Sequence, residues 1–94
     1  MFNSHKLWLV LWNRAAADSA PFEISEVAPK VAKALEIDEK EAPRRIRLFL
    51  GELQRLPEGE RYFTLEGYAI VPLAEFQASA KDEATALKAY PFEI

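Results

Sequence analysis

The 94-residue chain contains no cysteine. That excludes disulfides, thiolate zinc sites and cysteine nucleophiles, and it is compatible with a reducing compartment. Glycine is scarce: Gly51, Gly59 and Gly67 are too scattered to form a phosphate-cradling loop. His5 is the only histidine, so no second imidazole or thiolate completes a common metal site, and His5 is expected at the surface near a helix start. Long apolar runs are also missing. The longest, Leu7 to Trp12, is six residues, where a membrane span needs ~20. The amino terminus has neither the apolar stretch nor the cleavage site of a signal peptide, so a soluble cytoplasmic protein is expected. There is no basic surplus: 12 basic against 15 acidic residues leave a net charge of −3. Because phosphate neutralisation supplies much of nucleic-acid affinity, that balance argues against avid non-specific DNA binding.

Against these absences stands a chain that is 50% apolar and 12% aromatic, a composition that opposes disorder. Residues 1–94 suit one domain, with a core region over 5–73 and a helical extension over 74–94. Ser4 can cap a first helix from about His5 to Ala17. Leu7, Val10, Leu11 and Arg14 share one face, with Trp8 and Trp12 a turn apart beside it. The run Leu7–Trp12 is apolar all round, so a short buried strand competes with helix over those residues. Phe22-Glu23-Ile24 alternates like a very short strand. Ser25 is the expected cap of a second helix reaching Leu35, with Val27, Val31, Ala34 and Leu35 inward, Lys30 and Lys33 outward, and Pro29 near the first turn. Glu36 to Glu39 breaks the helix, and Ile37 packs back at the turn.

A third helix is expected from Pro43 to about Leu56, proline being favoured at a first helical position. Ile46, Phe49, Leu50, Leu53 and Leu56 form its inner stripe, while Arg44, Arg47, Leu48, Gly51 and Arg55 fall opposite. Pro57-Glu58-Gly59 ends it. A hairpin follows, with strands Arg61–Leu65 and Tyr68–Val71 around a Glu66-Gly67 turn. Pro72 marks the end of the second strand or an edge position. The alanine-rich tail, Ala74 to Tyr90, reads as one helix with Leu73, Phe76, Ala80, Ala84 and Leu87 along a thin stripe, and Pro91–Ile94 as extended.

Ile24-Ser25-Glu26-Val27-Ala28, the Leu35-Glu36-Ile37-Asp38 turn and the Arg44-to-Leu56 helix leading into the hairpin together resemble the winged helix-turn-helix superfamily. The resemblance covers roughly residues 5–73. It implies an α+β, mainly helical fold: a three-helix bundle, a small antiparallel β-hairpin wing and a C-terminal helix. It also implies that the helix Pro43–Leu56 is the one that enters a major groove in DNA-binding members. Arg44, Arg47, Leu48, Gly51 and Arg55 would then face a duplex, with Lys30 and Lys33 on flanking phosphate. The arginine fork suits guanine edges and phosphate alike. The chain departs from that pattern at the acidic wing tip, Glu66, and at the acidic approach formed by Glu36, Asp38, Glu39 and Glu41. These carboxylates can instead pair with the arginines as a solvated face.

Two functions are therefore carried forward. The first is a protein-interaction or assembly module, associating as a homodimer or with a protein partner through helix one and the C-terminal helix. Trp8, Trp12, Phe76, Leu87 and Tyr90 are its candidate contacts, although two tryptophans one turn apart on a first helix are more often core, and Phe2, Tyr90 and Phe92 are terminal aromatics that seal a core or an oligomer contact. The alternative is a DNA-binding regulator or nucleoid-associated factor. No catalytic residue, cofactor, metal or small-molecule substrate is expected. No strained nucleophile turn is legible, and the carboxylates lie on expected solvent faces.

Overall fold

Every fourth or so residue of the first segment is driven inward, and that periodicity settles its conformation. A computed structural model describes residues 4–92. In it α1 spans Ser4–Ala17, so the run Leu7–Trp12 is helix, with Leu7, Trp8, Leu11, Trp12 and Ala15 buried. Phe2 and the end of the extended tail, Glu93-Ile94, lie outside the described residues. Ser4 already belongs to the helix, and its hydroxyl meets the Tyr90 phenol.

The remaining order is β1 (Phe22–Glu23), α2 (Ile24–Leu35), a 3-10 turn (Glu39–Glu41), α3 (Ala42–Leu53), β2 (Phe63–Glu66), β3 (Ala69–Pro72), α4 (Ala74–Ala78) and α5 (Glu83–Ala89). The fold is α+β and mainly helical, with one three-stranded antiparallel sheet ordered β1-β3-β2. Phe22 and Leu65 both stand opposite Ile70, which fixes the register of the sheet. Buried residues from α1, α2, α3, the sheet, α4 and α5 join in one core.

Several boundaries differ from the expected ones. Helix α2 starts at Ile24, and its cap residue is Glu23, whose side chain makes no capping bond; Ser25 is not the cap. The earlier start places Pro29 inside the helix, beyond the first turn, where it removes one helical hydrogen bond. Glu36 ends α2 with φ +56°, and Ile37 N–H bonds Ala32 O at 3.0 Å. This is a Schellman closure in which a glutamate occupies the position usually taken by glycine. Helix α3 ends at Leu53, three residues short of expectation. Arg55 and Leu56 amides bond three residues back, to Glu52 at 3.1 Å and Leu53 at 3.1 Å, because Pro57 disfavours helical geometry at Leu56.

The hairpin loop is Gly67-Tyr68, one residue later than expected. Glu66 pairs with Ala69, and Gly67 takes φ +62°. Glycine at the first central position matches what a two-residue hairpin requires. Strand β3 is central rather than an edge. Pro72 is its last residue and faces Phe63 only, since β1 reaches no further than Ile70, so the missing proline N–H breaks no ladder bond.

The tail is two helices, not one. Lys81 Nζ turns back onto the carbonyls of Phe76, Gln77 and Ser79 and lies 4.4 Å from the Phe76 ring centroid, ending α4. Asp82 then caps α5, accepting from Thr85 N–H at 3.2 Å. The expected stripe fails with the break: Ala80 and Ala84 are exposed, and Ala86 is the alanine that is buried.

Candidate functional site

Burial removes most of the aromatic candidates from the surface. Trp8, Trp12 and Phe76 are wholly buried and Tyr90 nearly so. The Trp8 ring lies 5.5 Å from Phe63 and 6.1 Å from both Phe49 and Tyr90, and Trp12 lies 4.8 Å from Phe76. Each indole N–H also finds a carbonyl: Trp8 Nε1 donates to Ala86 O at 2.8 Å and Trp12 Nε1 to Lys81 O at 3.2 Å. A buried indole needs such an acceptor, and here both acceptors belong to the tail. Helix α1 and the C-terminal segment therefore cover each other. Of the five expected interface residues only Leu87 remains exposed.

The large apolar side chains left exposed among the described residues are Leu48, Tyr68 and Leu87. Two of these belong to one region. Leu48 is at the middle of the outer face of α3, 54% exposed, and Tyr68 is at the hairpin loop, 73% exposed. Arg47 connects them: it neighbours Leu48 in the helix, and its guanidinium carbon lies 5.6 Å from the Tyr68 ring centroid. Exposed contacts of that kind are worth ~0.5–1 kcal/mol, enough to bias a side chain's position.

The arginines expected on this face are on it. Arg44 and Arg55 keep 71% and 79% of their side-chain surface exposed. Their acidic neighbours are loose, Glu41 at 3.8 Å from Arg44 and Glu52 at 3.7 Å from Arg55. Exposed pairs of this sort contribute ~0–1 kcal/mol and leave the guanidinium groups available to a partner. Gly51 is exposed between Leu48 and Arg55, and a Cβ added there would meet nothing within 4 Å. Lys30 and Lys33 are exposed on α2. Lys30 lies on the side of Glu26, whose charge it helps to stabilise, and no contact among the described residues ties either lysine to the α3 arginines.

Beside this ridge runs an open groove of about 610 Å³, lined by Ser4, Arg45, Leu48, Phe49, Glu52 and Phe92. Its floor is apolar, with the Phe49 and Phe92 rings edge-to-face at 5.9 Å. Arg45 and Glu52 stand on its rim one charge of each sign. The sequence carried no signal for this groove: it joins residues from the two chain ends to α3, and only the folding of α5 against α1 brings Phe92 there. Arg47 and Tyr68 are likewise far apart in the chain, and the displaced hairpin loop puts the tyrosine where the arginine reaches it.

An ion pair closer than those of Arg44 and Arg55 lies elsewhere. Arg14 binds Glu26 through Nε and Nη2 and also donates to Asp18 O at 3.0 Å, joining α1 to α2. The hydrogen bond from Arg14 holds the Glu26 carboxyl below its usual value, and the same bond raises Arg14. Thr85 lowers Asp82 similarly, its hydroxyl donating to the carboxylate. His5 packs against Tyr90, with ring centroids 6.4 Å apart. Among the described residues no three histidine or carboxylate side chains converge to hold a metal, and no helix is long and apolar enough to cross a membrane. Comparison with protein families, with curated proteins and with solved structures found no match.

Proposed function

We propose that this chain is a small, non-catalytic interaction module of winged-helix type that docks a partner protein through the outer face of α3 and the hairpin loop. The order helix, strand, helix, helix, strand, strand with the sheet arranged β1-β3-β2 supports the winged-helix reading. The carrying observation for function is the surface itself. Leu48, Tyr68 and the arginines Arg44, Arg47 and Arg55 are exposed together, while the other large aromatics among the described residues pack into or against the chain's own core. Tyrosine and arginine are the residues that interfaces concentrate, and lysine, which interfaces avoid, is absent from this helix. The face used is thus α3, not helix one and the tail as the sequence alone suggests.

Photo-crosslinking in the native host tests this. A benzophenone amino acid at position 48 should yield a discrete protein adduct that the same probe at position 87 does not. No adduct at 48, or an identical one at both positions, refutes the reading.

The DNA-binding alternative is favoured by one specific observation: Arg44 and Arg47 are exposed at the start of the second helix of the α2–α3 pair. It requires duplex binding that weakens by a log–log slope of ~0.9 per phosphate neutralised and that falls in Arg44→Ala and Arg47→Ala. A nucleic-acid adduct at position 48 would favour it over the protein reading.

A further inference from the structure

We infer that the partner segment is acidic and amphipathic: a helical stretch that seats apolar side chains in the groove beside Leu48 and sets carboxylates on Arg44, Arg47 and Arg55. This rests on the interaction-module reading and adds the chemistry of what is bound.

Three features of the face select such an occupant. The first is charge. The outer face of α3 carries Arg44 and Arg47, and the turn just beyond it Arg55, against Glu41 and Glu52. The ridge is therefore basic on a molecule whose net charge is −3. The second is the groove. At about 610 Å³ it has the size of sites that take organic groups, and Leu48 and Phe92, which keep accessible apolar surface beside the buried Phe49, gain from being covered. The third is the notch at Gly51. With no side chain there and open space around it, a partner backbone can approach α3 closely midway between Leu48 and Arg55. From Arg44 to Leu53 the helical part of the ridge runs about 14 Å at ~1.5 Å per residue, with Arg55 in the turn just past its end, which matches roughly three turns of a facing helix. Two carboxylates three or four residues apart on that helix would meet Arg44 and Arg47, a third about two turns further on would meet Arg55, and apolar residues beside them would enter the groove.

The same features disfavour a duplex as occupant. An apolar groove floor has no counterpart in a sugar-phosphate backbone.

The test uses fluorescence anisotropy at low salt with the full chain and three labelled helical peptides of about three turns. The first carries glutamates along one face with leucines beside them. The second replaces every glutamate by glutamine, and the third every leucine by alanine. The first should bind at least about tenfold more tightly than either of the others. Arg47→Glu, Leu48→Asp and Gly51→Leu should each abolish the preference. All three positions are exposed, and the leucine at 51 fills open space, so circular dichroism should show each variant folded. Equal binding of the first and third peptides reduces the effect to charge and overturns the inference. Tighter binding of a short DNA duplex than of the first peptide also overturns it, in favour of nucleic acid. Absence of binding to all probes overturns it too. If position 48 still crosslinks to a host protein in that case, the module reading survives and only the acidic, amphipathic partner falls.

Discussion

Replacing Trp8 by phenylalanine tests the central structural correction, that helix one is locked under the tail rather than left open. Two losses follow from the geometry. The bond from Trp8 Nε1 to Ala86 O, 2.8 Å long and buried, disappears. A typical intramolecular hydrogen bond contributes about 1 kcal/mol net. The orphaned acceptor adds little, because Ala86 O also accepts from Tyr90 N–H at 3.0 Å. The smaller ring leaves a void of roughly 40 Å³, which at ~24 cal/mol per Å³ costs about 1 kcal/mol. The sum is about 2 kcal/mol of destabilisation. Urea unfolding followed by the fluorescence of the remaining Trp12 measures it. Amide exchange should quicken over Glu83–Tyr90 more than over α3, since that segment loses its anchor. A stability change below about 0.5 kcal/mol, or accelerated exchange spread evenly over the chain, would refute the claim that the indole pins α5.

Other perturbations follow from the backbone and from the ion pair. Glu36→Gly removes a side chain from a left-handed residue, φ +56°, and should stabilise the chain by about 0.5–1 kcal/mol in a urea titration. Pro29→Ala restores an amide donor to the exposed side of α2 and should raise stability by about 1–2 kcal/mol once the greater freedom of the unfolded chain is subtracted. Glu26 has its folded-state pKa lowered by Arg14. Its contribution is therefore complete above the ordinary carboxylate range and is lost as pH falls through the lowered value, where the unfolded state binds the extra proton. Glu26→Gln should flatten the acid limb of a stability-against-pH curve, and an unaltered limb in that variant would refute the assignment.

How far the residues alone revealed the fold depends on how local each signal is. Helix α3 was legible because Ile46, Phe49, Leu50 and Leu53 repeat at helical spacing, and all are buried. The short strand Phe22–Glu23 was legible from alternation and pairs with the hairpin. The exposed arginines came with the same stripe, since fixing its inner side fixes its outer side. The turn was missed by one residue because both Glu66-Gly67 and Gly67-Tyr68 place glycine in a two-residue loop. Cross-strand pairing, Leu65 opposite Ile70, chose between them. The tail was misread because alanine propensity has no knowledge of Lys81, whose ammonium gains three backbone carbonyls by stopping the helix.

Periodicity, proline placement and the two well-placed glycines were by themselves enough to determine a mainly helical α+β chain with a basic outer face on its third helix. Those are properties of neighbours in sequence, and neighbours in sequence share a helix face or a strand whatever the rest of the chain does. Tertiary structure alone decided whether Trp8 and Trp12 are core or contact surface, that Phe92 floors a groove beside Leu48, and that Arg47 meets Tyr68. Each of these depends on which distant segment supplies the last apolar cover or the last carbonyl, and that choice is made only when the whole chain competes to bury its surface at once.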